Sequence, residues 1–107
     1  MKLEPVATRK TLTAVVVHYG EQSPTVTVAA GAVEYADQVV VVANDLTTRP
    51  QGLPNSVEWI VPERNLGFGS GFEFGCRNAP ADVYLALNSD IHVTTECVRG
   101  CIAAFED

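Results

Sequence analysis

Residues 13–18 (TAVVVH) and 38–43 (QVVVVA) are nearly continuous runs of β-branched and small apolar residues, and nothing else in the sequence constrains the fold as strongly. An antiparallel strand with one wet face alternates apolar and polar residues, whereas a strand covered on both faces reads as an unbroken apolar run. These two runs therefore predict neighbouring strands of a parallel sheet. Parallel strands need a crossover between them, and the 19 intervening residues leave room for one helix. Ser23 followed by Pro24 supplies an N-cap and a proline at the first helical position, with Val26, Ala29, Ala30 and Val33 on one face.

The rest of the chain continues the alternation. Residues 44–56 (NDLTTRPQGLPNS) have loop chemistry, residues 57–61 (VEWIV) predict a third strand ended by Pro62, and residues 83–87 (VYLAL) a fourth. Between the last two, residues 65–78 form a glycine-dense loop running into a short helix. A C-terminal amphipathic helix is expected from Thr94 or Thr95 as cap, Glu96 in the first turn, and Val98, Cys101, Ile102 and Phe105 on one face. The expected fold is α/β, a Rossmann-like open, mostly parallel sheet of about four strands with helices on both faces. Residues 1–12 read as a frayed leader and residues 13–107 as one domain, which is what 107 residues can fill.

Charge and cysteine content narrow the function classes. The net charge is −6, and three of the seven basic residues lie in the first ten positions, leaving four basic against twelve acidic residues over 11–107. That balance opposes non-specific binding to nucleic acid or to anionic membranes. The longest aliphatic run, residues 39–43, is far too short for a membrane span, and residues 12–17 are too short for a signal-peptide core. Three cysteines without framework spacing argue for reduced thiols and a cytoplasmic location. Cys97 and Cys101, one helical turn apart, read as core thiols before they read as a metal clip.

In open α/β sheets, ligands bind beyond the carboxyl ends of the strands, where strand order reverses. The residues after each strand are therefore the candidates: 18–21, 44–48, 65–71 and 88–90. Gly67, Gly69 and Gly71 allow backbone N–H groups to approach a phosphate or ring, or equally serve a tight turn with close helix-to-sheet packing. Asn88 and Asp90 carry hard oxygen ligands of the kind that suit Mg²⁺ or Mn²⁺, although Asn and Asp more commonly cap a turn. His18 and Tyr19 could frame a flat base, and a strand-end histidine is more often a partly buried polar residue. His92, two residues past Asp90, adds little to a metal site.

Taken together, TAVVVHYGE, VVVVANDLTT, VPERNLGFGSGFEFGCRNA and YLALNSDIHVTTECVRGCIAAF resemble the N-terminal half of family 2 glycosyltransferases of the GT-A fold, and within them the rhamnosyltransferase-like branch. The resemblance spans residues 13–105 and is most specific at 65–71 and 87–90. It implies a donor half that binds a nucleotide diphosphate sugar, dTDP- or UDP-linked, for transfer to a hydroxyl acceptor, in the manner of a hexosyltransferase.

Carried over by position, Tyr19 and Glu21 line the nucleoside, Asn44 and Asp45 lie near the base, and Asn65, Gly67 and Gly71 approach the base, ribose and donor. Asp90 is the ligand for Mg²⁺ or Mn²⁺, with Asn88 in place of the first aspartate of the family's DxD-type motif. The resemblance also implies work at the inner face of the membrane, reached through the acceptor. Three departures stand out. Ala43 replaces the usual aspartate after the second strand, Phe72 and Glu73 replace a polar pair, and the acceptor half with its catalytic base is absent, so the piece is expected to be truncated and inactive by itself. Its missing half, or another copy in a homo-oligomer, is expected to cover the sheet.

Two alternatives use the same residues. One is an NAD(P)-type dinucleotide-binding module, with Gly69-x-Gly71-x-x-x-Gly75 opening a helix and Asp90 as ribose acid. The other is a non-catalytic nucleotide-binding or assembly remnant.

Overall fold

A computed structural model describes residues 10–88. In chain order the elements are β1 (Leu12–His18), α1 (Gln22–Ala32), β2 (Gln38–Ala43), β3 (Val57–Ile60), α2 (Gly67–Asn78) and β4 (Val83–Asn88). The four strands form one sheet in the order β3-β2-β1-β4, and every pairing is parallel. This is an α/β fold with a Rossmann-like open sheet. Strand order reverses at β1, whose neighbours are β2 on one side and β4 on the other.

The continuous β-branched runs have a direct structural cause. Successive side chains of a strand point to opposite faces, and both faces of β1 and β2 are covered. Leu12, Ala14 and Val16 of β1 join Val39 and Val41 of β2 and Leu87 of β4 in a core closed by Ala29 and Ala32 of α1. Val15 and Val17 join Val40 and Val42 in a second core, against which Phe72, Phe74 and Cys76 of α2 pack. Burial pushes the Cys76 thiol above its ordinary pKa, which suits a packing thiol rather than a reactive one.

Several boundaries differ from those expected. β1 starts at Leu12, a buried residue, so the leader gives way to the sheet earlier than residue 13. Polar contacts secure that start: Thr11 donates its N–H to Asp82 Oδ2 at 2.9 Å, and Leu12 donates its N–H to Asp37 Oδ2 at 2.7 Å. Residue Val61 falls outside β3, and β4 runs one residue further, to Asn88.

α1 begins at Gln22 with Glu21 as N-cap, not at Ser23, and Pro24 stands third in the helix. Proline is tolerated there because the N–H groups of the first turn have no partner within the helix. The fully buried stripe is Thr25, Ala29 and Ala32, and of the expected face Ala29 belongs to it while Val26 and Val33 pack partly buried against the same core. Thr25 turns inward because it has a buried partner, His18.

The expected helix in the glycine-dense segment is present but starts earlier, at Gly67, which leaves only residues 65 and 66 of the segment as loop. α2 includes Gly67, Gly69, Gly71 and Gly75, and only Gly67 among them has a positive φ, +75°. Among the described residues no helix is long and apolar enough to cross a membrane. The expected C-terminal helix, with Glu96, Cys97, Val98, Cys101, Ile102 and Phe105, lies outside the described residues, as do Asp90 and His92.

Candidate functional site

Parallel pairing brings the carboxyl ends of all four strands to one edge of the sheet. His18 is level with Ala43, and Val17 with Asn88, so the segments leaving β1, β2 and β4 emerge side by side. The first turns of both helices start from the same edge, because each helix must run back antiparallel to the strands it joins. The four exposed large hydrophobic side chains among the described residues, Tyr19, Leu46, Val61 and Phe68, follow the ends of β1, β2 and β3 or open α2.

The β1 exit is built on His18, which continues the α1-facing alternation of Ala14 and Val16 and is fully buried. Its Nδ1 lies 2.6 Å from Thr25 Oγ1. Its Nε2 lies 3.2 Å from Asp45 Oδ2, close enough for an ion pair but off the line of a hydrogen bond, so this buried nitrogen has no hydrogen-bond partner among the described residues. The ring sits 5.3 Å from that of Trp59, tilted by 49°. Tyr19, 66% exposed, and Glu21, also exposed, flank Gly20, whose φ of +99° makes the sharp turn into α1.

Asn44 and Asp45 leave β2 in different directions. Asn44 is buried and spends both ends of its amide on the backbone before α2: Nδ2 donates to the Gly67 carbonyl at 2.9 Å, and Oδ1 accepts the Leu66 N–H at 3.3 Å. Asn65, exposed, accepts the Gly67 N–H at 2.8 Å through Oδ1 and so closes the turn ahead of the helix. Asp45 Oδ2 accepts the Gly20 N–H at 3.2 Å, and Oδ1 accepts the Thr47 hydroxyl at 2.7 Å and the Thr47 N–H at 3.3 Å. Burial acts to raise the Asp45 pKa, but these donors and the facing His18 outweigh it and hold the carboxyl below its ordinary value.

Gly71 faces the sheet, where a side-chain carbon would meet Asn44 Nδ2 at 3.0 Å and Val17 Cγ1 at 3.3 Å. Gly69 has open space around it. Phe72 lies edge-on to Tyr84 of β4, with ring centres 6.5 Å apart, and Glu73 pairs with Arg77 on the outer face of α2. Phe72 and Glu73 thus serve packing and the helix surface. Asn88 ends β4 half-buried beside the end of β1.

Of the residues singled out from the sequence, Tyr19, Glu21, Asn44, Asp45, Asn65, Gly67, Gly71 and Asn88 all gather at this edge, and Asp90 lies outside the described residues. Thr25 and Trp59 lie outside the segments singled out from the sequence, whereas Thr47 falls within 44–48. Trp59 Nε1 donates to the Thr47 carbonyl at 2.9 Å, which ties the loop after β2 to β3. Arg49 reinforces the same loop by donating to the carbonyls of Val57, Leu53 and Pro54. The only hint in the sequence was the alternation that turns His18 to the same face as Val16.

Among the described residues no three His, Cys, Asp or Glu side chains cluster as a metal site. No protein-family model matches the chain, and no curated protein matches it.

Proposed function

We propose that this edge of the sheet binds a nucleotide diphosphate sugar, and that the chain is the donor-binding region of a glycosyltransferase of the family 2, GT-A type. The observation that carries the reading is the gathering of the exits of β1, β2 and β4 and the start of α2 at the point where strand order reverses. Tyr19 and Glu21 are exposed there and free to line a nucleoside, Tyr19 by stacking and Glu21 by accepting hydrogen bonds. Asn65 keeps its amide nitrogen for a ligand while its oxygen holds the Gly67 turn. The first turn of α2 carries no acidic side chain; Asn44 and Asn65 take the Leu66 and Gly67 N–H groups, and the positive end of the helix dipole beyond them favours a phosphate.

Asn88 and Asp90 provide an all-oxygen donor set, which fits Mg²⁺ or Mn²⁺. Such an ion, when bound, neutralises the departing diphosphate. A chain of net charge −6 repels an anionic donor, and a cation held by Asn88 and Asp90 would offset that repulsion. Gly71 lies within α2 and faces Asn44 and Val17, so it serves helix packing rather than the close backbone approach to a pyrophosphate that a dinucleotide module needs there.

Calorimetry with UDP and dTDP, with and without Mn²⁺, tests the reading. The expected result is saturable binding that requires the metal, with Asp90→Ala weakening it at least about tenfold, equivalent to about 1.4 kcal/mol. Saturable binding of NADH that UDP and dTDP fail to displace would replace this reading with the dinucleotide module. No binding of any of these ligands would leave a non-catalytic remnant.

A further inference from the structure

A partly buried polar chain lies behind the site, with Thr25 and His18 at its fully buried end. Thr25 of α1, His18 of β1, Asp45 and Thr47 after β2, and Trp59 of β3 form a continuous line of contacts. Asp45 is the branch point. One of its oxygens takes the Thr47 hydroxyl and N–H, and the other takes the Gly20 N–H while facing His18 Nε2. Gly20 is the single residue between Tyr19 and Glu21, and its lack of a Cβ, which permits the left-handed φ, also gives the turn little intrinsic preference for one shape. A hydrogen bond from an ionised carboxylate to that N–H is of the stronger, charge-assisted kind.

We infer that Asp45 is a positioning residue rather than a ligand contact: its carboxylate, held in place by Thr47 and backed by His18, latches the turn between β1 and α1 and so sets Tyr19 and Glu21 at the mouth of the site. The role of the latch in affinity rests on the nucleotide reading above, whereas the latch itself does not. The titratable side chain facing Asp45 among the described residues is His18, from β1. α1 contributes Thr25 to this network and β3 contributes Trp59, neither of which changes charge. Because the Asp45 pKa is lowered in the folded chain, the latch is complete above the ordinary aspartate range and is lost as the pH falls through the depressed value.

The test is an acid titration of the full chain followed by NMR. The expected result is that the Gly20 and Thr47 amide protons shift together, with one common midpoint below that of an ordinary aspartate, and that Asp45→Asn abolishes the shared titration. A Gly20 amide that ignores the ionisation of Asp45 overturns the latch, whatever the variants do. Affinity for UDP with Mn²⁺ should fall about tenfold in Asp45→Ala, the size of a 1.4 kcal/mol loss. Asp45→Asn should recover part of it, since an amide oxygen can still accept from Gly20.

Equal loss of affinity in both variants, with the Gly20 amide unmoved by either substitution, would make Asp45 a ligand contact and overturn the proposal. If UDP does not bind the wild-type chain, the nucleotide reading fails, and the Gly20 and Thr47 titration still decides whether the latch exists.

Discussion

Gly75→Ala is expected to destabilise the protein by about 2 kcal/mol. A methyl group there would fall well inside van der Waals contact with Val15 Cγ1 and within 3.1 Å of Val42 Cγ2. Both valines are fully buried on the central strands β1 and β2, and a β-branched side chain in a sheet has little rotamer freedom with which to retreat. The helix must therefore lift from the sheet or the valines must leave their wells, and overpacking of this kind costs about 1–3 kcal/mol. The severity of the overlap places the cost at the upper end, and the better helix propensity of alanine returns up to about 1 kcal/mol.

The matching control is Gly69→Ala, nearer the start of the same helix, where nothing lies within 4 Å. It should stabilise the protein by roughly 0.5–1 kcal/mol, because it gains propensity without a clash. Thermal unfolding distinguishes the pair: a fall on the order of 10 °C for Gly75→Ala and a small rise for Gly69→Ala, at about 4–8 °C per kcal/mol for a domain of this size. Equal stability of Gly75→Ala and wild type would mean that α2 is not seated on Val15 and Val42 as described.

Asn44→Ala is expected to cost a similar amount by a different route, about 2 kcal/mol. The substitution removes two hydrogen bonds to the Leu66 N–H and the Gly67 carbonyl, each with a net value of about 1 kcal/mol, and leaves those groups in partly buried surroundings. It also opens space beside Gly71, whose approach to the sheet is shaped by the Asn44 side chain. The loss should be concentrated at the start of α2, so hydrogen exchange at residues 66–71 should speed up more than exchange in β1 or β2. Asn44→Asp should recover the contact to the Leu66 N–H while setting an oxygen against the Gly67 carbonyl, and its stability should fall between alanine and wild type. If Asn44→Ala unfolds at the wild-type temperature and loses only nucleotide affinity, the side chain serves the ligand and not the helix.

Much of the fold was legible because the strongest physical term, burial on both faces of the central strands, writes itself into the sequence as unbroken β-branched runs. β2 lies where its run lies, residues 38–43, and β1 differs by the addition of Leu12. Helix starts were less legible. Ser23-Pro24 is a good local start signal, yet the chain enters α1 at Gln22, because the left-handed turn at Gly20 and the inward pull of His18 on Thr25 set the phase of the helix. The glycines misled for a related reason. A glycine that makes a turn and a glycine that lets a helix touch a sheet look alike in sequence, and only the neighbouring strand distinguishes Gly67, with its positive φ, from Gly75, wedged against Val15.

The sequence by itself determined an α/β chain with parallel central strands, and it determined which residues follow the strand ends, since periodicity and turn chemistry are local properties. Only the tertiary structure decided what those residues do once there. Asn44 and Asp45 are adjacent, but one amide is spent on Leu66 and Gly67, more than twenty residues later, and the carboxylate on Gly20, twenty-five residues earlier. Buried polar groups must find partners wherever the fold brings them, and those partners are set by strand order and by the seating of α2 on β1 and β2, which no local pattern encodes.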